Sequence, residues 1–347
     1  MQTLLHDQNF SRLCQNARLV NLHRHHVCGL PVLVRAVAIA WAFVTCTAST
    51  QAQPSPASTS RTETLRTMIK SAASKHAAAE QLGTLWLQLA NEYRRQFQLS
   101  EAEDAFAHSL SLLRSSAAQS AYAESLDGLG WLYFATWRPE DARNCLRRSL
   151  EIYQVLGDRA RAAEVHGTIA QILLFEHRYH DGEAEISEGL KEFRSQPHPD
   201  SREISAALIV HSYALCFQGR CNAALDDANL AMTLAQSVLP ANSFEIAEVW
   251  LARGFDLWKS GLPDEGERSM SEALRMLRNQ TDVPPQLLAI SRLDALRWYA
   301  DCLKANHHKT EARQIKSEIL QLQSEQHSAS SSSTVSAAAL AAKPLVP

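Results

Sequence analysis

The sequence predicts an all-α fold, an array of six helix–turn–helix units, on three observations. Glycine and proline number only 12 each in 347 residues, where ordinary usage is roughly 7% and 5%. That scarcity disfavours turn-rich β architectures. The second observation is recurrence. In 34-residue units beginning at Gly83, Ala123, Ala163, Ser205, Ala247 and Leu293, position 8 reads Ala90, Gly130, Ala170, Ser212, Gly254 and Ala300, and position 20 reads Ala102, Ala142, Gly182, Ala224, Gly266 and Ala312, all of them small. Small side chains at two fixed points let two helix axes approach closely. Position 11 (Tyr93, Tyr133, Leu173, Leu215, Leu257, Leu303) and position 28 (Leu110, Leu150, Leu190, Met232, Leu274, Leu320) are apolar throughout. The third observation is proline placement. Pro197, Pro199, Pro240, Pro284 and Pro285 fall in the spacers between units, and Pro139 and Pro263 fall at position 17. No proline falls inside an expected helix, where it would remove a hydrogen bond and clash with the preceding turn.

In chain order, residues 1–52 have the character of an export segment. Arg12, Arg18, Arg24 and Arg35 precede the apolar run Ala36 to Val44, and small residues lead to Thr50-Gln51-Ala52. This is the basic, apolar, small-residue order of a signal peptide. The apolar run is shorter than the roughly 20 residues a membrane helix needs, so no stable span is expected after signal removal. The run begins late for a signal peptide, which points to a true start near Val20, Leu22 or Val27, or else to a segment retained as an anchor. Residues 53–60 are expected to be a linker, 61–78 an added helix carrying Leu65, Met68 and Ile69, and 83–326 the repeat array. The spacers are 117–122, 157–162, 197–204, 239–246 and 281–292. At position 24, Phe106, Leu146, Ile186, Ala228 and Met270 give way to Lys316, as suits a terminal unit with no neighbour to cover it. Residues 327–347, rich in serine and alanine, are expected to be disordered.

The segment Trp86-Leu87-Gln88-Leu89-Ala90-Asn91-Glu92-Tyr93 fits W-x2-L-G/A-x2-Y, and Ala102, Phe106 and Leu110 follow at the matching distances. Over residues 83–326 the chain resembles tetratricopeptide repeat (TPR) proteins. Its longer units, and the spacer His198-Pro199-Asp200 followed by Ile204 to Leu208, are similar to the kinesin light chain type. It departs from the pattern in lacking a proline at position 32, in placing His211 and Arg253 at position 7, and in placing His166 at position 4. The resemblance implies a right-handed TPR-type helical solenoid whose first helices line a concave face through positions 5, 9 and 12. Mapped onto this sequence, it gives the candidate groove residues Leu87, Asn91, Asp127, Trp131, Phe134 and Gln171 in the first half of the array. Tyr213, Leu251, Phe255, Trp258, Arg297 and Asp301 follow in the second. Aromatic and aliphatic walls suit a peptide with apolar anchors; the alternative is that these aromatics pack between neighbouring repeats. The basic clamp with which some TPR proteins hold a C-terminal carboxylate is not reproduced. Asn91 matches one clamp asparagine, but Leu87 stands where a lysine is needed, and Ala206 and Val210 offer no cation.

Net charge is −3, which gives no reason to expect a nucleic-acid partner. No H-E-x-x-H, G-x-S-x-G, phosphate-binding loop or dinucleotide fingerprint is present, so neither catalysis nor a cofactor is expected. His177 and His180 in Glu176-His177-Arg178-Tyr179-His180-Asp181, and the pair His307-His308, sit at expected turns. There, exposed polar residues are ordinary and no ligand spacing supports a metal. Cys216 and Cys221 lie across the turn of one unit, either as a disulfide or as two thiols. Cys145 and Cys302 are four repeats apart, too far to bridge. The expected function is an exported, non-catalytic scaffold, periplasmic or extracellular, that binds a protein or peptide in its concave groove. Two alternatives are an assembly component acting by self-association or through its convex face, and a metal-dependent enzyme.

Overall fold

In a computed structural model, residues 56–341 are described, with side-chain surroundings given for 61–325. They lie in the larger of two compact units of the chain, residues 32–347. The expected export segment, and residues 53–55 of the expected linker, fall outside the described residues. Thirteen helices and no strand occupy the described part: α1 (Pro56–Ser74), α2 (Ala79–Arg95), α3 (Leu99–Leu113), α4 (Gln119–Ala135), α5 (Pro139–Leu156), α6 (Arg159–Phe175), α7 (Tyr179–Arg194), α8 (Ser201–Phe217), α9 (Cys221–Val238), α10 (Phe244–Lys259), α11 (Pro263–Arg278), α12 (Pro285–Ala305) and α13 (Lys309–Ala341). From α2 onward they form six antiparallel pairs, each helix packing on its sequence neighbours. Consecutive first helices also touch one another, so α2, α4, α6, α8, α10 and α12 form the inner layer of a helical solenoid. All the residues at positions 8 and 20 are buried.

The spacers are mostly not loops. Each first helix starts three to eight residues ahead of its unit, at Ala79, Gln119, Arg159, Ser201, Phe244 and Pro285. The residues beyond 34 therefore lengthen the helices. Asp158, Asp200 and Ser243 begin three of these extensions by accepting a hydrogen bond from the backbone N–H of Arg161, Arg202 and Ile246, as N-cap side chains do. Pro139, Pro263 and Pro285 occupy first helical positions, where a missing N–H costs nothing. At the ends of the array, α1 begins at Pro56, inside the expected linker, and α13 runs on to Ala341, through residues where low-complexity composition argued for disorder. Alanine is the strongest helix former, and no proline intervenes before Pro344. Lys316 is exposed, as expected of a terminal unit, and Leu320 is 67% exposed for the same reason.

One device ends every first helix. Position 15 takes a left-handed backbone in all six units: Phe97 (φ 58°), Trp137 (66°), His177 (61°), Gly219 (81°), Gly261 (88°) and His307 (64°). The next N–H then reaches back to the carbonyl at position 11, as from Arg138 to Tyr133 (2.8 Å) and His308 to Leu303 (2.9 Å). This is a Schellman cap, which favours glycine at that position. The four bulky residues sit there against a cost of roughly 1–2 kcal/mol each. Because His307 is exposed, His307→Gly is expected to raise stability by about 0.5–1 kcal/mol net of the added freedom of the unfolded chain. Urea denaturation checks it, and a destabilised variant would contradict the cap.

Cys216, in the last turn of α8, and Cys221, first in α9, form a disulfide across the turn of repeat 4. Cys145 and Cys302 are buried and take no part in that bridge, and burial pushes the Cys302 thiol up to about 12. Closing so short a loop is worth about 2 kcal/mol. Reduction should therefore lower stability by about that amount, while Cys145 and Cys302 react with thiol reagents only on unfolding. Equal midpoints with and without reductant would speak against the bridge.

Candidate functional site

The candidate residues separate into two groups along the inner layer. In repeats 1 and 2, Leu87 and Trp131 are buried. Asn91 donates to Glu124 (2.9 Å), and the Arg94 guanidinium lies 5.7 Å from the Trp131 ring centroid. Burial pushes Asp127 up to about 6, and Arg94 and Arg161 oppose the rise; Arg161 also lies 3.4 Å from Glu124. The acids at this end thus have guanidinium partners. Phe134 belongs elsewhere, in a core cluster with Tyr153 and Ile169, edge-on to Phe175 at 6.0 Å.

Repeats 4 to 6 differ. Tyr213 on α8, Phe255 on α10 and Trp298 on α12 meet directly, at centroid distances of 5.9 Å (Tyr213–Phe255), 4.7 Å (Phe255–Trp298) and 5.6 Å (Tyr213–Trp298). Phe217 and Trp258 extend the cluster. Rings from repeats 4 and 6 touching across repeat 5 mean that the inner face is tightly drawn in here. Tyr213 is 3% and Phe255 4% exposed, so both pack between repeats, while Trp258 remains half-buried. Leu251 is buried beside them. Arg297 is paired with Asp294 (3.2 Å), and the exposed Asp301 is paired with Lys304.

Near these rings lie polar groups with no hydrogen-bond partner among the described residues: the Tyr213 hydroxyl, the Trp298 indole N–H, both carboxylate oxygens of Glu248 and both of Asp256. Further along the inner layer, both amide atoms of the fully buried Gln171 are also unpartnered. Burial pushes Glu248 up to about 8, with Asp294 and Glu245 adding to the rise; nearby Ser291 opposes it without completing a hydrogen bond of normal geometry. Burial likewise pushes Asp256 up to about 8, opposed by Ser212 and reinforced by Asp227. Glu248, Asp256 and Asp294 together hold the Tyr213 hydroxyl well above the usual phenol range, after burial itself. The sequence reading missed these acids, yet a column announces Glu248 and Asp294: position 2 reads Thr84, Glu124, Glu164, Ala206, Glu248 and Asp294, whereas Asp256 stands at position 10.

The histidines have structural places. His177 sits at the left-handed position of its turn, with its Nδ1 2.5 Å from the Tyr179 hydroxyl. His308 lies 3.0 Å from Glu267 and 4.0 Å from Glu311, a trio with metal-ligand potential. The same link recurs between repeats, from position 16 of one unit to position 21 of the unit before, as Arg138–Glu103 (3.0 Å) and Arg220–Glu183 (2.7 Å). His308–Glu267 is the last of that series, with histidine in the place of arginine. Among the described residues, no helix is long and apolar enough to cross a membrane.

Residues 81–154 match the family model described as tetratricopeptide repeat. No curated protein matches in sequence. Among solved structures, the apo form of RapI is 12% identical, with a TM-score of 0.58 over 71% of this chain and 84% of RapI. NprR in complex with its cognate peptide NprX is 16% identical, with a TM-score of 0.54 over 72% of this chain and 73% of NprR. A Rap protein complexed with competence and sporulation factor is 14% identical, with a TM-score of 0.51 over 84% and 95%. At these identities the likeness is one of fold. The chain carries tetratricopeptide repeats, arranged as an all-α helical solenoid.

Proposed function

We propose that this tetratricopeptide-repeat array is an exported, non-catalytic scaffold that binds a protein or peptide along its inner face. One observation carries the reading: the first helices of repeats 4 to 6 gather five aromatic rings near buried polar groups that none of the described residues satisfies. Unsatisfied buried polar groups are costly to keep. A binding surface is a reason to keep them, because a ligand supplies the missing partners. Two proteins of similar fold were solved with a peptide or factor bound. The basic, apolar, small-residue order of residues 1–52 supports export, and the Cys216–Cys221 bridge suits an oxidising compartment.

Crosslinking and affinity capture of the full chain from its native host, with mass spectrometry of bait and prey, tests this. The expected result is a mature N-terminus near Gln53 and a partner crosslinked to the inner helices, with affinity reduced at least tenfold by Trp258→Ala. An intact N-terminus would remove export. Crosslinks confined to other copies of the chain would replace groove binding with self-assembly.

A further inference from the structure

One cation position recurs at the turns of the array. In repeat 2, Arg138 lies between two carboxylates: Glu103 of the preceding unit at 3.0 Å, and Asp141, three residues on in the first turn of α5, at 2.8 Å. In repeat 6 the equivalent residue is His308, with Glu267 of the preceding unit at 3.0 Å and Glu311, again three residues on, at 4.0 Å. The two carboxylates are kept, but the permanent guanidinium charge between them is not. A neutral imidazole brings no charge, and it offers a nitrogen lone pair that arginine lacks. Among the described residues, this is where three metal-ligating side chains converge, with one ligand atom of each within 4.8 Å of the others. His308 and Glu311 are exposed and Glu267 is half-buried, so an ion reaches all three from solvent. Asn306 donates to Glu267 Oε2 (2.6 Å) and fixes the direction of that carboxylate, while His308 Nδ1 lies 3.2 Å from Oε1.

We infer that Glu267, His308 and Glu311 bind a divalent transition-metal ion of the zinc class, which stands where repeat 2 has its guanidinium and ties α11 to the start of α13. The inference is independent of the groove reading. One imidazole nitrogen with two carboxylate oxygens is a donor set for zinc and its neighbours, whereas magnesium and calcium take oxygen ligands alone. Zinc–nitrogen and zinc–oxygen bonds of about 2.0–2.2 Å place tetrahedral ligands about 3.3 Å apart. The Nδ1–Oε1 separation already meets that spacing, so only the exposed Glu311 has to move inward. Water completes the fourth position, as it does in zinc sites with three protein ligands. Asn306 then holds a ligating carboxylate from behind, the part that outer partners of metal ligands play. The ion's place in the array is also consistent with a structural tie: the last unit is covered by a neighbour on one side only.

Calorimetric titration of zinc chloride into the full chain tests the inference, with cobalt chloride added separately for its visible absorption. Wild type is compared with His308→Arg, which restores the charge arrangement of repeat 2 and so preserves the fold, and with Glu311→Gln. Circular dichroism verifies the fold of each. The expected result is zinc binding that calcium and magnesium do not reproduce, at least tenfold weaker in His308→Arg and several-fold weaker in Glu311→Gln. The cobalt absorption should disappear in His308→Arg. Zinc at about 100 times its dissociation constant should raise the wild-type Tm by several degrees and leave that of His308→Arg unchanged. Equal zinc affinity in wild type and His308→Arg would mark an adventitious ion only, held by other histidines, and would overturn the inference. So would the absence of zinc binding by the wild type. Unchanged affinity in Glu311→Gln would overturn the three-ligand site.

Discussion

Raising the pH from 5 to 9 is expected to destabilise the array by several kcal/mol, with most of the loss between about pH 5 and pH 8. The cause is the pair of uncompensated acids. In the folded protein, Glu248 and Asp256 hold their protons up to about pH 8, whereas their ordinary values are 4.5 and 3.8. Between those limits the folded state binds more protons than the unfolded chain, so stability falls as pH rises. Below the ordinary values both states are protonated, and above about 8 both are ionised, so the slope vanishes outside the window. At about 1.4 kcal/mol per pKa unit, each carboxyl contributes at most roughly 5 kcal/mol, and water entry into the face reduces that figure. Glu203, held at about 7 chiefly by burial, and Asp127, at about 6, add to the same direction. Glu183 and Glu272, lowered in the fold, act oppositely and only near their ordinary range, and as half-buried groups in contact with solvent they contribute little. Thermal melts from pH 5 to 9 should therefore show Tm falling by about 10 °C or more. Glu248→Gln/Asp256→Asn should flatten the curve and melt higher than the wild type at pH 9. A flat wild-type profile would show that these carboxyls are solvated or already paired.

How much of this was legible in the sequence depends on which residues repeat. The small residues at positions 8 and 20 and the apolar residues at position 11 fixed the pairing of helices, because close packing leaves little freedom there. The helix ends were less legible. The spacers carry extra residues but few breakers, and Asp158, Asp200 and Ser243 cap helices that begin earlier than a 34-residue register suggests. The candidate groove was legible as a set of aromatics but not as a geometry. Tyr213 and Phe255 were expected to line a groove, and both are buried against rings of neighbouring repeats. That Trp298, at position 6, closes on both of them follows from how tightly repeats 4 to 6 are drawn together, and nothing local to Trp298 encodes it. The buried acids were hidden for another reason. A glutamate at position 2 reads as solvent-facing unless the next first helix is known to cover it, and Glu248 is covered. Position 27 escaped as well: Ser109 and Ser149 donate to the carbonyls of Gly83 and Ala123 (2.9 and 2.8 Å), tying the second helix of a unit to the start of its first.

The tightest crossing in the array is expected to be the least tolerant of added volume, and it lies beside the proposed site. Repeat 5 alone has glycine at both position 8 and position 20. A Cβ built on Gly266 would lie 2.8 Å from the Gly254 carbonyl oxygen and 2.9 Å from the Trp258 backbone nitrogen. Those are backbone atoms, which can yield only by separating α10 from α11. Alanine at mid-helix would ordinarily gain about 1 kcal/mol over glycine; here the overlap should reverse the sign. Gly266→Ala is expected to cost about 1–3 kcal/mol, as overpacking does, and Gly266→Leu to cost more than about 3 kcal/mol. Moving α10 also moves Phe255 and Trp258, so Gly266→Ala should weaken ligand binding beyond what its stability loss explains at temperatures where it remains folded. Gly128 tests whether side-chain crowding is as severe as backbone crowding: its added Cβ would meet the buried Phe106 ring at 2.3 Å. Gly128→Ala should therefore be rescued in part by Phe106→Leu, whereas no single side-chain truncation should rescue Gly266→Ala. Urea denaturation of the four variants decides the matter. A neutral or stabilised Gly266→Ala would mean that the two helices sit further apart than the crossing described, and that the ring cluster of repeats 4 to 6 is held by the rings themselves and not by the helix pair beneath them.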